Sequence, residues 1–289
     1  MSSPISKQYK ESENQDLVRQ TLAGDRNALD KLIKIHQPFI YNVAWKMAHN
    51  PDDALDLTQE TLIKVITKLS QFNFKSSFRT WLYRIVVNEF LQTKRRNAEN
   101  RFVSFDDYGS KLDAIPNAEL NKEEELAHKE LSEEMKMSCM SGMLMCLNRE
   151  QRLIYILGDT FSIDHNLGAE IFEISPQNFR VKLFRARQDL YNFMNQKCGL
   201  VNTTNPCRCP KKAKSLKQMG LLNEEKMVFN ALFTKRIGNY VQKNYHQVDE
   251  AFDERYTQLF QTHSIKSEFD AQTLIDEVLN DEELMKHFK

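Results

Sequence analysis

Aromatic rings and cations alternate along Phe72, Asn73, Phe74, Lys75, Ser76, Ser77, Phe78, Arg79, Thr80, Trp81, Leu82, Tyr83 and Arg84. Rings offer faces on which unpaired bases stack, and interleaved cations hold a phosphate backbone. The same rings at helical spacing also suit a hydrophobic core, and Phe78, Trp81, Leu82 and Ile85 make one apolar side of the helix that begins here. A second group stands on a helix opened by Ser175-Pro176. Its apolar stripe of Phe179, Leu183, Ala186 and Leu190 leaves Gln177, Asn178, Val181, Phe184 and Arg185 outward, with Arg180, Lys182 and Arg187 beside them. Short amides and an apolar contact near a helix start suit base edges in a major groove, and flanking cations suit phosphates.

Three thiols, Cys198, Cys207 and Cys209, form a third group. They could bind zinc if a fourth ligand came from His165, Cys139, Cys146 or elsewhere. They could serve as a redox switch, since nearby cations favour thiolate, or simply shape an inert turn. All three readings stay open. Catalysis is not expected: the seven His are scattered, no Gly-rich phosphate loop occurs, and no nucleophile and base stand in a recognisable pattern. The run Glu123, Glu124, Glu125 reads as a solvated helix face, not a metal site. Apart from the zinc alternative at the Cys cluster, no cofactor is expected.

The elements that must position these groups are helices. Only 8 Gly and 7 Pro interrupt 289 residues, and the apolar spacing is three and four, not two. The fold class is all-α: two small helical domains joined by a linker, followed by a helical carboxy-terminal extension. Helices are expected over residues 15–23, 26–49, 51–70, 77–96, 122–147, 149–160, 165–172 and 176–195, with a linker over 97–121 and further helices after 223. In the third of these, Asn50 caps, Pro51 opens, and Asp52 and Asp53 meet the positive dipole end. Its stripe of Leu55, Leu62, Val65, Ile66 and Leu69 faces a core, and Asp56, Gln59, Glu60, Ile63 and Lys64 face away. Asn148 and Gln151 have capping-box spacing.

The net charge of +0 conceals a segregation. Lys75, Arg79, Arg84, Lys94, Arg95, Arg96 and Arg101 meet only Glu89 and Glu99 in their stretch, ten acids follow between Asp106 and Lys136, and residues 197–222 hold six cations and no acid. Basic modules between acidic connectors suggest surfaces for a polyanion. No run approaches the length of a membrane span and the first residues are polar, so a cytoplasmic chain without membrane insertion is expected. The odd number of Cys argues against a disulfide framework.

The string Asp56-Leu57-Thr58-Gln59-Glu60, then Ser76-Ser77-Phe78-Arg79-Thr80-Trp81-Leu82-Tyr83-Arg84-Ile85, then Asn88 and Lys94-Arg95-Arg96, resembles the promoter-melting domain of extracytoplasmic-function (ECF) sigma factors. Gln151-Arg152 and Phe184-Arg185-Ala186-Arg187 resemble the −35-binding domain of the same family, in the same order after an acidic linker. The resemblance implies a flexible tail over 1–14, sigma region 2 over 15–97, an acidic linker over 98–146 and a region 4 helix-turn-helix over 147–196. A Cys-rich basic segment over 197–222 and a helical extension over 223–289 follow. It implies that Asp56, Gln59, Glu60 and Ile63 dock on core RNA polymerase. Phe72, Asn73, Phe74, Lys75 and Ser76 would capture a base of the −10 element, with Arg79, Arg84, Asn88, Lys94, Arg95 and Arg96 on the strand and adjacent duplex. Gln177, Asn178, Arg180, Val181, Lys182, Arg185 and Arg187 would meet the −35 duplex. Core polymerase and promoter DNA are the implied partners, and an anti-sigma factor is a further one. Glu173 departs from the pattern, standing where many helix-turn-helix turns carry Gly. Some sigma factors with carboxy-terminal extensions carry a similar Cys-Gly-Leu-Val-Asn and Asn-Pro-Cys-Arg-Cys segment. The alternative is a one-component regulator that binds duplex DNA without polymerase, but it has no use for the paired 56–60 and 76–83 segments.

Overall fold

The computed structural model describes residues 9–93 and 104–222. In chain order the helices are α1 (Glu11–Leu22), α2 (Arg26–Ala48), α3 (Pro51–Lys68), α4 (Phe78–Gln92), α5 (Phe105–Ala114), α6 (Lys122–Ala127), α7 (Lys129–Cys146), α8 (Arg149–Tyr155), α9 (His165–Phe172), α10 (Pro176–Lys197) and α11 (Cys209–Gln218). Among the described residues no strand forms, and the expected all-α class holds. The expectations for 223–289 and for Lys94, Arg95 and Arg96 lie outside the described residues. Two compact units emerge, one from 9–93 with 156–181 and the other from 104–155 with 182–222.

In the first unit, local chemistry sets the helix ends. Asp25 accepts from the amides of Asn27 and Ala28 at 2.8 and 3.3 Å, so α2 starts at Arg26. His49 turns left-handed at φ 55° and ends it. Asn50 Oδ1 then accepts from Asp53 N at 3.0 Å, with Pro51, Asp52 and Asp53 in the first turn of α3. Ser77 Oγ accepts from Thr80 N at 3.0 Å and starts α4. The core between these helices includes Ile40, Leu57, Leu62, Leu69, Phe78 and Leu82, all essentially without solvent contact. From the expected stripe of α3, Leu62, Val65, Ile66 and Leu69 are buried and Leu55 is half-buried.

His36 is a titratable group inside this core, 1% exposed. His36 Nε2 hydrogen-bonds Asn14 Oδ1 at 2.9 Å, and its Nδ1 lies 3.4 Å from the Tyr83 hydroxyl. Burial, helped by the nearby Arg79 guanidinium, lowers its pKa from 6.5 to about 3. Between those values the unfolded chain binds a proton that the folded chain does not, so stability is lost as pH falls from about 6.5 toward 3, at about 1.4 kcal/mol per pH unit. Urea midpoints at pH 7 and pH 5 should therefore differ more in the wild type than in His36→Gln, and equal differences would contradict this placement.

Unit two shows where the expected linker departs from its sequence reading. Residues 97–121 were expected to be irregular, yet α5 forms there: Ser104 Oγ accepts from Asp107 N at 3.1 Å, and Tyr108 and Leu112 are buried. Phe105 and Tyr108 pack on Phe193 of α10 with ring centroids 5.3 and 5.8 Å apart. The single helix expected over 122–147 is divided at His128, whose ring Nδ1 hydrogen-bonds the Glu124 carbonyl at 2.8 Å. α6 opens with a full capping box between Asn121 and Glu124. The box expected at Asn148 also forms, with Gln151 N donating to Asn148 Oδ1 at 2.9 Å and Asn148 N to Gln151 Oε1 at 3.4 Å. The helix expected over 149–160 closes with a π-helical turn, Ile156–Thr160.

The lysines of residues 197–222, read from sequence as part of a polyanion surface, are largely turned to structural use. Buried Lys212 donates to the carbonyls of Leu112 and Ile115 at 2.7 and 2.6 Å, capping the end of α5. Lys214 reaches Glu119 O and Glu124, and Lys197 pairs with Asp113 at 2.5 Å. Cations that hold helix ends and local acids are not available to phosphates without losing those contacts.

Candidate nucleic-acid interface

α3 presents one face to solvent and the other to the core. Asp56 and Glu60 are exposed, Gln59 and Ile63 half-buried, and Leu57, Thr58, Thr61, Leu62 and Val65 buried opposite them. Lys64 Nζ reaches Glu89 of α4, which fixes the two helices side by side. Thr58 and Thr61 spend their hydroxyls on carbonyls one turn back, at 2.7 and 2.6 Å, so no buried polar atom disturbs the packing side.

The loop before α4 corrects the sequence reading at Phe72. This ring, expected to meet a base, is only 3% exposed and packs against Phe74, Phe78 and Trp81 at centroid distances of 4.6, 5.5 and 5.4 Å. A ring with so little exposure leaves no face open for a base. Phe74 is half-buried at φ 59°, with the Arg19 guanidinium 4.8 Å from its ring centroid. Asn73 and Lys75 stay at the exposed tip, where Asn73 Oδ1 accepts from Lys75 N at 3.1 Å and sets the turn. Ser76 is half-buried, as is Trp81, which stacks on Phe78 at 5.7 Å.

On α4 the expected cations have intramolecular partners. Arg79 lies over the Tyr9 ring at 4.8 Å. Arg84 Nε donates to the Glu170 carbonyl at 2.7 Å, its Nη1 lies 3.6 Å from Glu173, and Thr80 Oγ1 donates to Glu170 Oε2 at 3.1 Å. Sequence reading missed Glu170, because nothing local marks a partner 86 positions from Arg84. Asn88 is exposed.

The helix-turn-helix is built by small fits. Asp164 caps α9, accepting from Asn166 and Leu167 amides at 2.9 and 3.1 Å. At Gly168 a Cβ would stand 2.5 Å from the Phe179 ring, so only glycine lets α9 and the start of α10 approach this closely. Glu173 takes the left-handed conformation, φ 54°, that glycine would otherwise supply, so the turn keeps its usual geometry. Ser175 Oγ accepts from Asn178 N at 3.1 Å and opens α10. The stripe of Phe179, Ala186 and Leu190 is buried and Leu183 half-buried. Gln177, Asn178, Arg180, Arg185 and Arg187 are exposed, Val181 is half-buried, and Phe184 is 60% exposed. Arg180 Nη2 donates to Gln177 Oε1 at 3.0 Å, holding that amide in place. Lys182 Nζ bonds both Glu150 oxygens at 2.9 and 2.8 Å, which ties this expected contact to α8.

Comparison with known proteins bears on this arrangement. Residues 32–100 match sigma-70 region 2. The chain is 26% identical over 171 residues to RNA polymerase sigma factor YlaC of Bacillus subtilis, covering 59% of this chain and 94% of that protein. It is 27% identical to ECF RNA polymerase sigma factor SigE of Mycolicibacterium smegmatis over 59% of this chain and 64% of that one. Over 78 residues it is 36% identical to the RNA polymerase sigma-H factor of Pseudomonas aeruginosa, 27% of this chain and 40% of that factor. Over these stretches the chain is similar to ECF sigma factors.

No described helix is long and apolar enough to cross a membrane. The thiols expected as metal ligands, Cys198, Cys207 and Cys209, lie together in the second unit, but among the described residues no three His, Cys, Asp or Glu side chains are already grouped to hold an ion. The redox reading meets an obstacle. Burial raises all five thiols, Cys139 and Cys146 to about 12, and outweighs the lowering by Arg208 and Lys212 at Cys207. Reactive thiols need the opposite balance.

Proposed function

We propose that this chain is a sigma factor of the ECF type that binds core RNA polymerase, recognises −35 and −10 promoter elements and promotes melting of the DNA between them and the start site. The observation that carries the reading is the exposed face of α10. Amides Gln177 and Asn178 stand at the helix start, an outward Phe184 follows, and Arg180, Arg185 and Arg187 flank them, above a fully buried Phe179, Ala186 and Leu190. That division leaves a rigid helix whose outward residues match base edges and phosphates. The match of residues 32–100 to region 2 supports the other half, in which α3 meets polymerase through Asp56, Gln59, Glu60 and Ile63.

On this reading the −10 strand is held by the exposed tip Asn73 and Lys75 with Phe74, Ser76, Arg79, Arg84 and Asn88, and Phe72 supports the loop from beneath. Arg84 and Thr80 exchange Glu170 and Glu173 for DNA, and stacking and phosphate contacts offset the cost of unpairing. An anti-sigma factor fits the family as a regulator.

Potassium permanganate footprinting of promoter fragments with core polymerase and this protein tests melting: reactive unpaired thymines should appear only when both are present. A fully duplex pattern in the presence of tight core binding would contradict the proposal. Arg185→Ala should weaken −35 duplex binding and reduce the slope of log affinity against log salt by about one. An unchanged slope would remove Arg185 from the phosphate contacts.

A further inference from the structure

Helix α1 begins at Glu11, inside the stretch that the sequence reading gave to a tail, and its side chains reach both ends of the loop that precedes α4. At the far end of the loop, Glu11 Oε1 accepts from the Phe78 amide at 2.5 Å, and Gln15 Nε2 donates to the same oxygen at 2.8 Å. Phe78 is the first residue of α4, where an amide has no intrahelical acceptor. Nearer the start of the loop, the Arg19 guanidinium lies 4.8 Å from the centroid of the Phe74 ring. Tyr9, just before α1, sets its ring against the Arg79 guanidinium at 4.8 Å.

These contacts are anchored in the core of the first unit. The Tyr9 and His36 rings stand edge to face with centroids 6.1 Å apart, and His36 meets Phe78 the same way at 5.5 Å. Asn14, 4% exposed, hydrogen-bonds His36 through Oδ1 and donates to Lys10 O at 2.9 Å through Nδ2, which fixes the entry to α1 against α2. The loop needs such support. Phe74 holds φ 59°, a left-handed conformation that bulky side chains rarely adopt and that persists only where surrounding contacts impose it. The Phe72 ring and Arg19 supply such contacts here. Tyr9, Glu11 and Arg19 all precede residues 32–100, the segment that matches sigma-70 region 2.

We infer that Tyr9 and Glu11 are positioning residues for strand capture: they set the start of α4 and the guanidinium of Arg79, so that the loop tip at Asn73 and Lys75 meets the unpaired strand in one fixed shape. This role rests on the proposed reading in which that tip and Arg79 hold the −10 strand. A carboxylate on a helix-start amide makes a charge-assisted bond and also complements the positive end of the helix dipole. With the Tyr9 ring against it, Arg79 is ordered before DNA arrives, and less side-chain entropy is lost on binding. A loop without these braces would have to be ordered by the strand itself, at the expense of affinity.

The test uses the full chain with core polymerase on a promoter fragment, and reads two quantities for each variant: permanganate reactivity of thymines in the −10 element, and affinity for core polymerase. Tyr9→Ala is expected to lower the reactivity by at least about threefold and Glu11→Ala by about tenfold, the weights of a cation–π contact and of a charge-assisted hydrogen bond. Core affinity, which reads α3 in the same unit, should stay at the wild-type value. Tyr9→Phe keeps the ring and Glu11→Gln keeps an acceptor oxygen, so each should recover most of the reactivity. Should Glu11→Ala fail to fold, the contrast between Tyr9→Ala and Tyr9→Phe decides. Parallel loss of reactivity and core affinity would reduce these residues to fold support and overturn the inference. Undiminished reactivity in Tyr9→Ala, or Tyr9→Phe no better than Tyr9→Ala, would overturn it too. A wild type that binds core tightly but melts nothing is a different failure, which overturns the proposed function and this role with it.

Discussion

Arg152→Ala is expected to destabilise the second unit by about 3–5 kcal/mol, near the top of what single substitutions do. The side chain is 3% exposed and its guanidinium donates to three carbonyls, Leu144 at 2.9 Å through Nε and Met145 and Leu147 at 3.1 Å through Nη2. Those carbonyls belong to the last turn of α7 and the residue that ends it, where the helix leaves acceptors without intrahelical donors. Truncation removes the donors and opens a space that water does not easily fill. Arg152→Lys keeps the charge but lacks the planar fork and should recover only part of the loss. Denaturant unfolding followed by circular dichroism measures both. A loss below about 1 kcal/mol for Arg152→Ala would mean that α7 is capped by other means.

The second large effect is on association, not stability. Replacing Asp56 and Glu60 together by Arg reverses the charge of the exposed face of α3 while leaving Leu57, Thr58, Thr61 and Leu62 beneath it in place. If that face meets polymerase, affinity should fall by at least about tenfold, since like charges placed against each other at an interface cost more than a lost contact. The thermal midpoint should stay within a degree or two. Fluorescence anisotropy of labelled protein titrated with core polymerase reads the affinity directly. Unchanged binding in a folded variant would move the polymerase contact elsewhere on the chain.

How legible these features were depended on whether their causes are local. The start of α3 is written in four consecutive residues, Asn50 to Asp53, and α9 was expected over 165–172 and forms there, because Asp164 and the turn before Pro176 bound it. The buried stripe of α10 followed from periodicity alone. α5 did not, since a ten-residue segment with Gly109 in its middle becomes a helix through contacts with Phe193 and Lys212 far along the chain. Phe72 shows a second limit. Composition identified an aromatic loop but could not say which ring would be enclosed, and only the packing of Phe74, Phe78 and Trp81 around it decides. The partners of Arg84 and Lys182 are long-range acids, and neither Glu170 nor Glu150 carries a sequence mark.

The left-handed Glu173 joins two of these threads. Its φ of 54° keeps the helix-turn-helix geometry without glycine, at the cost of a conformation that most side chains avoid. The same side chain lies 3.6 Å from Arg84, so the departure from the family pattern coincides with a contact to α4. Both groups are substantially exposed, and the ion pair adds little to stability.

The most direct measurement of the central claim is in vitro transcription from a library of promoter fragments by bacterial core polymerase supplemented with this protein. Discrete start sites that share two upstream elements, and that vanish when the protein is omitted, are the predicted result. Absence of discrete starts from a protein that binds DNA but not core polymerase would contradict the account.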